Sequence, residues 1–127
     1  MKNILKKINK FGKTKFFFEE SQLLPVNKDD QFTSLLLPKN LSKEERTQGG
    51  ARFRGLYKNS INEFPLISII VPSFKEDKLS QSIDSILNQN YPNVEVIVID
   101  GKSGKETTDI LENYKDDIDI WVSEKDQ

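Results

Sequence analysis

Asp100 closes a run of branched apolar residues and is followed at once by Gly101, Lys102, Ser103 and Gly104. A carboxylate leaving a buried strand can accept hydrogen bonds from a ribose hydroxyl or from the imide N–H of a uracil. Gly101 and Gly104 let the backbone approach a ligand closely or take positive φ. Phe74, in the segment Pro72-Ser73-Phe74, can stack on a base. On position alone, ordinary turn chemistry at Asp100-Gly101 and a plain helix cap at Ser103 account for the same residues equally well. Two phosphate-binding patterns are excluded. Neither Gly101-Lys102-Ser103 nor Gly104-Lys105-Glu106 completes G-x-x-x-x-G-K-[ST], and two glycines in residues 63–127 cannot make G-x-G-x-x-G. Asp117-x-Asp119 falls before the third strand, away from Asp100, and reads as a solvated connection.

The elements that must position Asp100 follow from periodicity. Leu66 to Val71 is a short apolar run stopped by Pro72, which predicts a buried strand covered on both faces. Asp77 is placed to cap a helix with Leu79, Ile83, Ile86 and Leu87 on one stripe, ending before Tyr91-Pro92. Val94 to Ile99 predicts the second strand. Ser103 and Glu106 have capping-box spacing ahead of Thr107, Ile110, Leu111 and Tyr114. Ile118 to Val122 predicts a third strand. The order β-α-β-α-β implies parallel strands in a right-handed, doubly wound α/β arrangement. Ligands of such sheets sit beyond the carboxyl ends of the strands, where Pro72–Phe74, Asp100–Ser103 and Ser123–Gln127 meet.

The remainder is basic and broken. Residues 1–62 carry thirteen Lys/Arg against six Asp/Glu, whereas residues 63–127 carry six against fourteen. This predicts a largely irregular basic extension, 1–62, ahead of an acidic domain, 63–127. Ile4, Leu5, Ile8 and Phe11 lie at helical spacing among the six lysines of residues 1–18, as in an amphipathic helix on an anionic membrane surface. Ser42–Arg46 is expected to form one helical turn. With no Cys and no His, disulfides, Cys/His zinc sites, thiol nucleophiles and histidine bases are excluded. An acidic folded part argues against a nucleic-acid partner. No apolar run approaches the ~20 residues needed to span a bilayer, so the expected location is cytoplasmic, peripheral at the inner face of the membrane.

The run "PLISIIVPSFKEDKLSQSIDSILNQNYPNVEVIVIDGKSGKETTDIL" resembles the opening of family 2 glycosyltransferases, which have the GT-A fold. The resemblance rests on Val71-Pro72-Ser73-Phe74, Ser85-Ile86-Leu87-Asn88-Gln89, Tyr91-Pro92 and Ile99-Asp100-Gly101-Lys102-Ser103, in the family's order. "DIDIWVSEKDQ" and "GGARFRGLYKNS" are similar to landmarks of a bacterial subgroup that builds cell-surface polysaccharide. Lys75 stands where the family usually has asparagine, and Lys102 where it usually has glycine. The resemblance implies a partial, Rossmann-like GT-A unit. Its activity would be sugar transfer from a nucleotide-diphosphate donor, a UDP-sugar, assisted by a divalent metal, Mg or Mn. It places Pro72, Ser73, Phe74, Asp100, Gly101, Ser103 and Asp126 at the donor nucleotide, with Glu124 nearby. The metal ligands and the general base are expected beyond Gln127, leaving this chain catalytically incomplete alone. The competing expectations are a non-catalytic truncated remnant, a nucleotide-binding module, or a membrane-surface module.

Overall fold

The computed structural model describes residues 4–19, 46–75 and 77–124. In chain order the elements are β1 (Leu5–Ile8), β2 (Thr14–Glu19), β3 (Thr47–Gly49), a 3-10 turn (Ala51–Arg54), β4 (Leu56–Tyr57), β5 (Ile67–Ser73), α1 (Leu79–Leu87), β6 (Val94–Asp100), α2 (Lys105–Asn113) and β7 (Ile120–Ser123). They build two sheets, β1-β2-β4 and β3-β7-β6-β5. In the second sheet β5, β6 and β7 run parallel, as the alternation of strand and helix patterns predicts, and β3 is antiparallel to β7.

The core lies on one face of that sheet. Leu79, Ile83 and Leu87 of α1 pack with Leu111 and Tyr114 of the α2 region against Val94, Val96 and Val98. Both helices therefore cover the same face, correcting the doubly wound expectation. Strand order β5-β6-β7 proceeds in one direction, and right-handed crossovers then keep every helix on one side. β5 is an edge strand, not one covered on both faces: Ile70, on the other side, is 61% exposed. A doubly apolar run does not distinguish an edge from a centre.

Residues 46–58 are regular where the sequence reads as broken. Gly49 lies under the indole of Trp121, where a Cβ would stand 2.7 Å from Nε1. Gly50 has φ 119, and a Cβ there would stand 2.5 Å from the Asp119 carbonyl oxygen. The N–H groups of Ala51 and Arg52 donate to the carbonyls of Ile118 and Asp119. Lys58, buried, donates to Asp119 Oδ2 at 3.0 Å and to the Val94 carbonyl. Asp119 is thus a buried anchor, not a solvated connector. Burial pushes its carboxyl above the ordinary range, against the Lys58 ammonium and the Val96 N–H.

Residues 5–8 form a strand rather than an amphipathic helix, pairing with β2 from Leu5↔Phe17 to Ile8↔Thr14. The reason is tertiary. Asn9 Nδ2 donates to the Leu87 carbonyl at 2.8 Å, and Lys15 Nζ donates to the Gln89 and Tyr91 carbonyls at 3.1 Å each. The hairpin thereby satisfies carbonyls at and just beyond the C-terminus of α1, which a helix leaves without internal partners. Phe16, Phe17 and Phe18 favour the extended state. Of the turn expected at Ser42–Arg46, residues 42–45 lie outside the described residues.

Candidate functional site

The ladder between β5 and β6 ends on the pair Ser73↔Asp100, and the next rung of β6 and β7 is Asp100↔Ser123. Three strands thus deliver Ser73, Asp100 and Ser123 side by side to one sheet edge. The Gly101 N–H donates to the Ser73 carbonyl at 2.9 Å, and the Glu124 N–H to the Asp100 carbonyl at 3.0 Å. The loops leaving the three strands are therefore tied together by backbone.

Asp100 is the hub, and it is buried, at 1% exposure. Oδ2 accepts from the Ser103 N–H at 2.9 Å and from Ser123 Oγ at 2.8 Å; Oδ1 accepts from Ser103 Oγ at 2.5 Å. Burial pushes the carboxyl up, but the bonds from Ser103, together with the Ser123 and Ser73 hydroxyls, outweigh it and hold Asp100 below its ordinary value. Ser73 Oγ is itself buried and makes no hydrogen bond of full geometry. Its dipole lies close enough to favour the ionised neighbour. A carboxylate has about four lone-pair positions, and three of those of Asp100 are taken by Ser103 and Ser123.

Ser103 does not cap α2. The cap position is Gly104, with φ 117 and no side-chain bond, while Ser103 Oγ faces Asp100 and also accepts from the Lys75 N–H at 2.6 Å. Asp77 likewise makes no cap; α1 begins after Lys78 without one. Positive φ falls at Gly104, as the sequence allows, but Gly101 lacks it; instead Lys75 (φ 50) and Lys102 (φ 60) adopt the left-handed region. These are the two positions where lysine replaces the asparagine and glycine usual in the resembling family. Both usual residues tolerate that backbone better, so the departure from the motif was the available signal for the strain.

Phe74 is 60% exposed at the same edge, with Lys75 Nζ 5.3 Å from its ring centre. Pro72 precedes it on the exposed side of β5. A shallow depression of about 190 Å³ beside the hub is lined by Thr47, Lys102, Gly104, Lys105, Thr108 and Ser123. Asp126 lies outside the described residues. No spacing or motif singles out Arg46, whose guanidinium grips the Glu124 carboxylate at this edge, with Nε to Oε2 at 3.0 Å and Nη2 to Oε1 at 3.2 Å.

Among the described residues no group of three carboxylate, His or Cys side chains comes together to hold a metal. Asp119, the inner member of Asp117-x-Asp119, is taken by Lys58 and the Val96 N–H. The described residues do not fit the divalent ion that the fold family implies.

Residues 68–127 match the family described as Glycosyl transferase family 2. That segment is similar to family 2 glycosyltransferases. Among curated relatives, it is 36% identical over 67 residues to the dolichyl N-acetyl-alpha-D-glucosaminyl phosphate 3-beta-D-2,3-diacetamido-2,3-dideoxy-beta-D-glucuronosyltransferase of Methanococcus voltae, covering 46% of this chain and 21% of the relative. It is 38% identical over 56 residues to the GalNAc(5)-diNAcBac-PP-undecaprenol beta-1,3-glucosyltransferase of Campylobacter jejuni, covering 43% and 18%. It is 36% identical over 52 residues to a UDP-Glc:alpha-D-GlcNAc-diphosphoundecaprenol beta-1,3-glucosyltransferase of Escherichia coli, covering 40% and 21%. The chain spans about a fifth of the length of these curated relatives. No solved structure matches the chain. Among the described residues no helix is long and apolar enough to cross a membrane.

Proposed function

We propose that the protein serves as a glycosyltransferase that moves a sugar from a nucleotide-diphosphate donor, a UDP-sugar, to an acceptor in cell-surface polysaccharide or lipid-linked sugar synthesis. Residues 63–127 supply the donor-nucleotide-binding portion. The exposed ring of Phe74 stacks on the base, with Pro72 extending that wall. Asp100 and the Ser73 hydroxyl, both buried at this edge, meet the nucleoside when the loop after β6 shifts. The Gly101–Ser103 loop brings backbone close to it, and Asp126 completes the group. A divalent ion, Mg or Mn, would stabilise the departing diphosphate, but no step is assigned to it among these residues. The place of work is the cytoplasmic face of the membrane, with the basic hairpin β1–β2 toward anionic headgroups.

The observation that carries this reading is the Ser73↔Asp100 rung at the carboxyl edge of a parallel sheet, within a family 2 segment. Asp100's own bonding favours a second reading, in which the carboxylate organises the loops of a non-catalytic nucleotide-binding module and Phe74 makes the contact. Calorimetric titration of the 127-residue chain separates these readings. UDP is expected to bind weakly and ADP more weakly, with Phe74→Ala abolishing detectable UDP heat. Loss in Phe74→Ala with full retention in Asp100→Asn favours the second reading. No heat from UDP with the unaltered chain overturns both.

A further inference from the structure

Arg46 reaches the donor edge from outside the segment that carries the family signature. β3 runs antiparallel to β7 with Thr47 opposite Ser123, which brings Arg46 alongside Glu124, the residue just past β7. The guanidinium takes both carboxylate oxygens in a bidentate fork, and its side chain is only 13% exposed. Glu124 in turn donates its backbone N–H to the Asp100 carbonyl. A second carboxylate therefore stands one backbone bond from the Asp100 hub, beside a depression lined by Lys102 and by Lys105, the latter paired with Asp109 at 2.8 Å.

We infer that Arg46 is a positioning residue for the anionic half of the donor, an inference that rests on the nucleotide-diphosphate reading above. It cancels the charge of Glu124 and pins the carboxylate sideways along β3, so that a diphosphate approaching the edge meets lysines rather than a free anion. A bidentate Arg–carboxylate fork fixes orientation as well as charge, which an ammonium does less well. The nucleotide-binding unit then includes Arg46–Gly49 as well as residues 63–127. Because the effect is electrostatic, it acts on ligand phosphates and not on the nucleoside.

Ligand-observed NMR competition with the full chain tests this, using UDP and uridine as probes. Arg46→Ala is expected to weaken UDP about tenfold and to leave uridine within twofold. Arg46→Lys should recover part of the loss. Adding Glu124→Gln to Arg46→Ala should recover most of it, since the unpaired charge is then gone. Equal loss for UDP and uridine, or no recovery in the double variant, assigns Arg46 a merely structural part and overturns the inference. UDP affinity unchanged in Arg46→Ala does the same. Failure of the unaltered chain to bind either probe strikes instead at the donor reading on which it rests.

Discussion

Ser103 is bonded twice to Asp100, through its N–H to Oδ2 at 2.9 Å and through its Oγ to Oδ1 at 2.5 Å, and the same Oγ accepts the Lys75 N–H. One hydroxyl thus joins the loop after β6 to the corner after β5. The loop is shaped by the carboxylate, so the charge of Asp100 is a structural requirement.

Asp100→Asn keeps the shape but turns one acceptor into a donor facing Ser103 or Ser123. The expected cost is about 2 kcal/mol at neutral pH, as for lost hydrogen bonds to a charged group, measured by urea unfolding. The pH dependence has a definite sign. Asp100 is held below its ordinary value, so its contribution is present above the unfolded-state pKa and is lost as pH falls through the folded value. The gap between Asp100→Asn and the unaltered protein should therefore narrow in acid.

Lys75 and Lys102 occupy left-handed backbone at the same mouth. Lys75→Asn and Lys102→Gly are each expected to stabilise the chain by about 0.5–1 kcal/mol, because αL geometry strains a residue with an ordinary Cβ. Thermal unfolding checks this; a lower midpoint in both would mean that the lysine side chains contribute more than the strain costs.

Lys58→Met leaves Asp119 buried without its cation. A broken buried pair costs about 3 kcal/mol. Burial already raises the Asp119 carboxyl, and a raised carboxyl favours the fold below its unfolded-state pKa and loses that contribution as pH rises through the folded value. The variant should therefore recover stability relative to the unaltered protein as pH falls, read by denaturant midpoints between neutral and acid buffers.

Gly49→Ala drives a methyl into the Trp121 indole, and Gly50→Ala forces one against the Asp119 carbonyl at φ 119. Each should cost about 1–3 kcal/mol as overpacking does, with Gly50→Ala the worse because backbone cannot yield. Since Trp121 is the one tryptophan, Gly49→Ala should shift its emission to the red. An unmoved spectrum would place β3 off the sheet.

The basic hairpin presents Ile8, 72% exposed, and Phe11 with Lys6, Lys7 and Lys10 around them. Sedimentation with phosphatidylglycerol-containing vesicles is expected, weakening with salt and on Ile8→Asp. Equal recovery with neutral vesicles would rule out an anionic membrane surface as the hairpin's partner.

The parallel unit was legible because its signals are local. Val94–Asp100 reads as a strand from branched apolar residues, and Leu79, Ile83 and Leu87 give the helix stripe. The hairpin was not, because Ile4, Leu5, Ile8 and Phe11 fit a helical period equally well. Their competitor is a set of bonds such as Asn9 to Leu87, 78 residues apart in the chain. Arg46 and Glu124 are equally distant in sequence, and no spacing rule links them. Asp119 hides within a row of acids that reads as surface until Lys58 arrives from the preceding segment. At the site, sequence order placed Ser73 and Asp100 at one edge, but the bonding that turns Ser103 from helix cap into bridge depends on the register of three strands.

The edge bearing Ser73 and Asp100 is expected to receive the nucleotide. Backbone amide shifts of the isotopically labelled chain, followed during UDP addition, test it most directly. Saturable shifts are expected at Phe74, Gly101–Gly104 and Ser123–Glu124, with residues 86–94 and 116–119 at the opposite edge unmoved. Shifts confined to that opposite edge, or none anywhere, would contradict it.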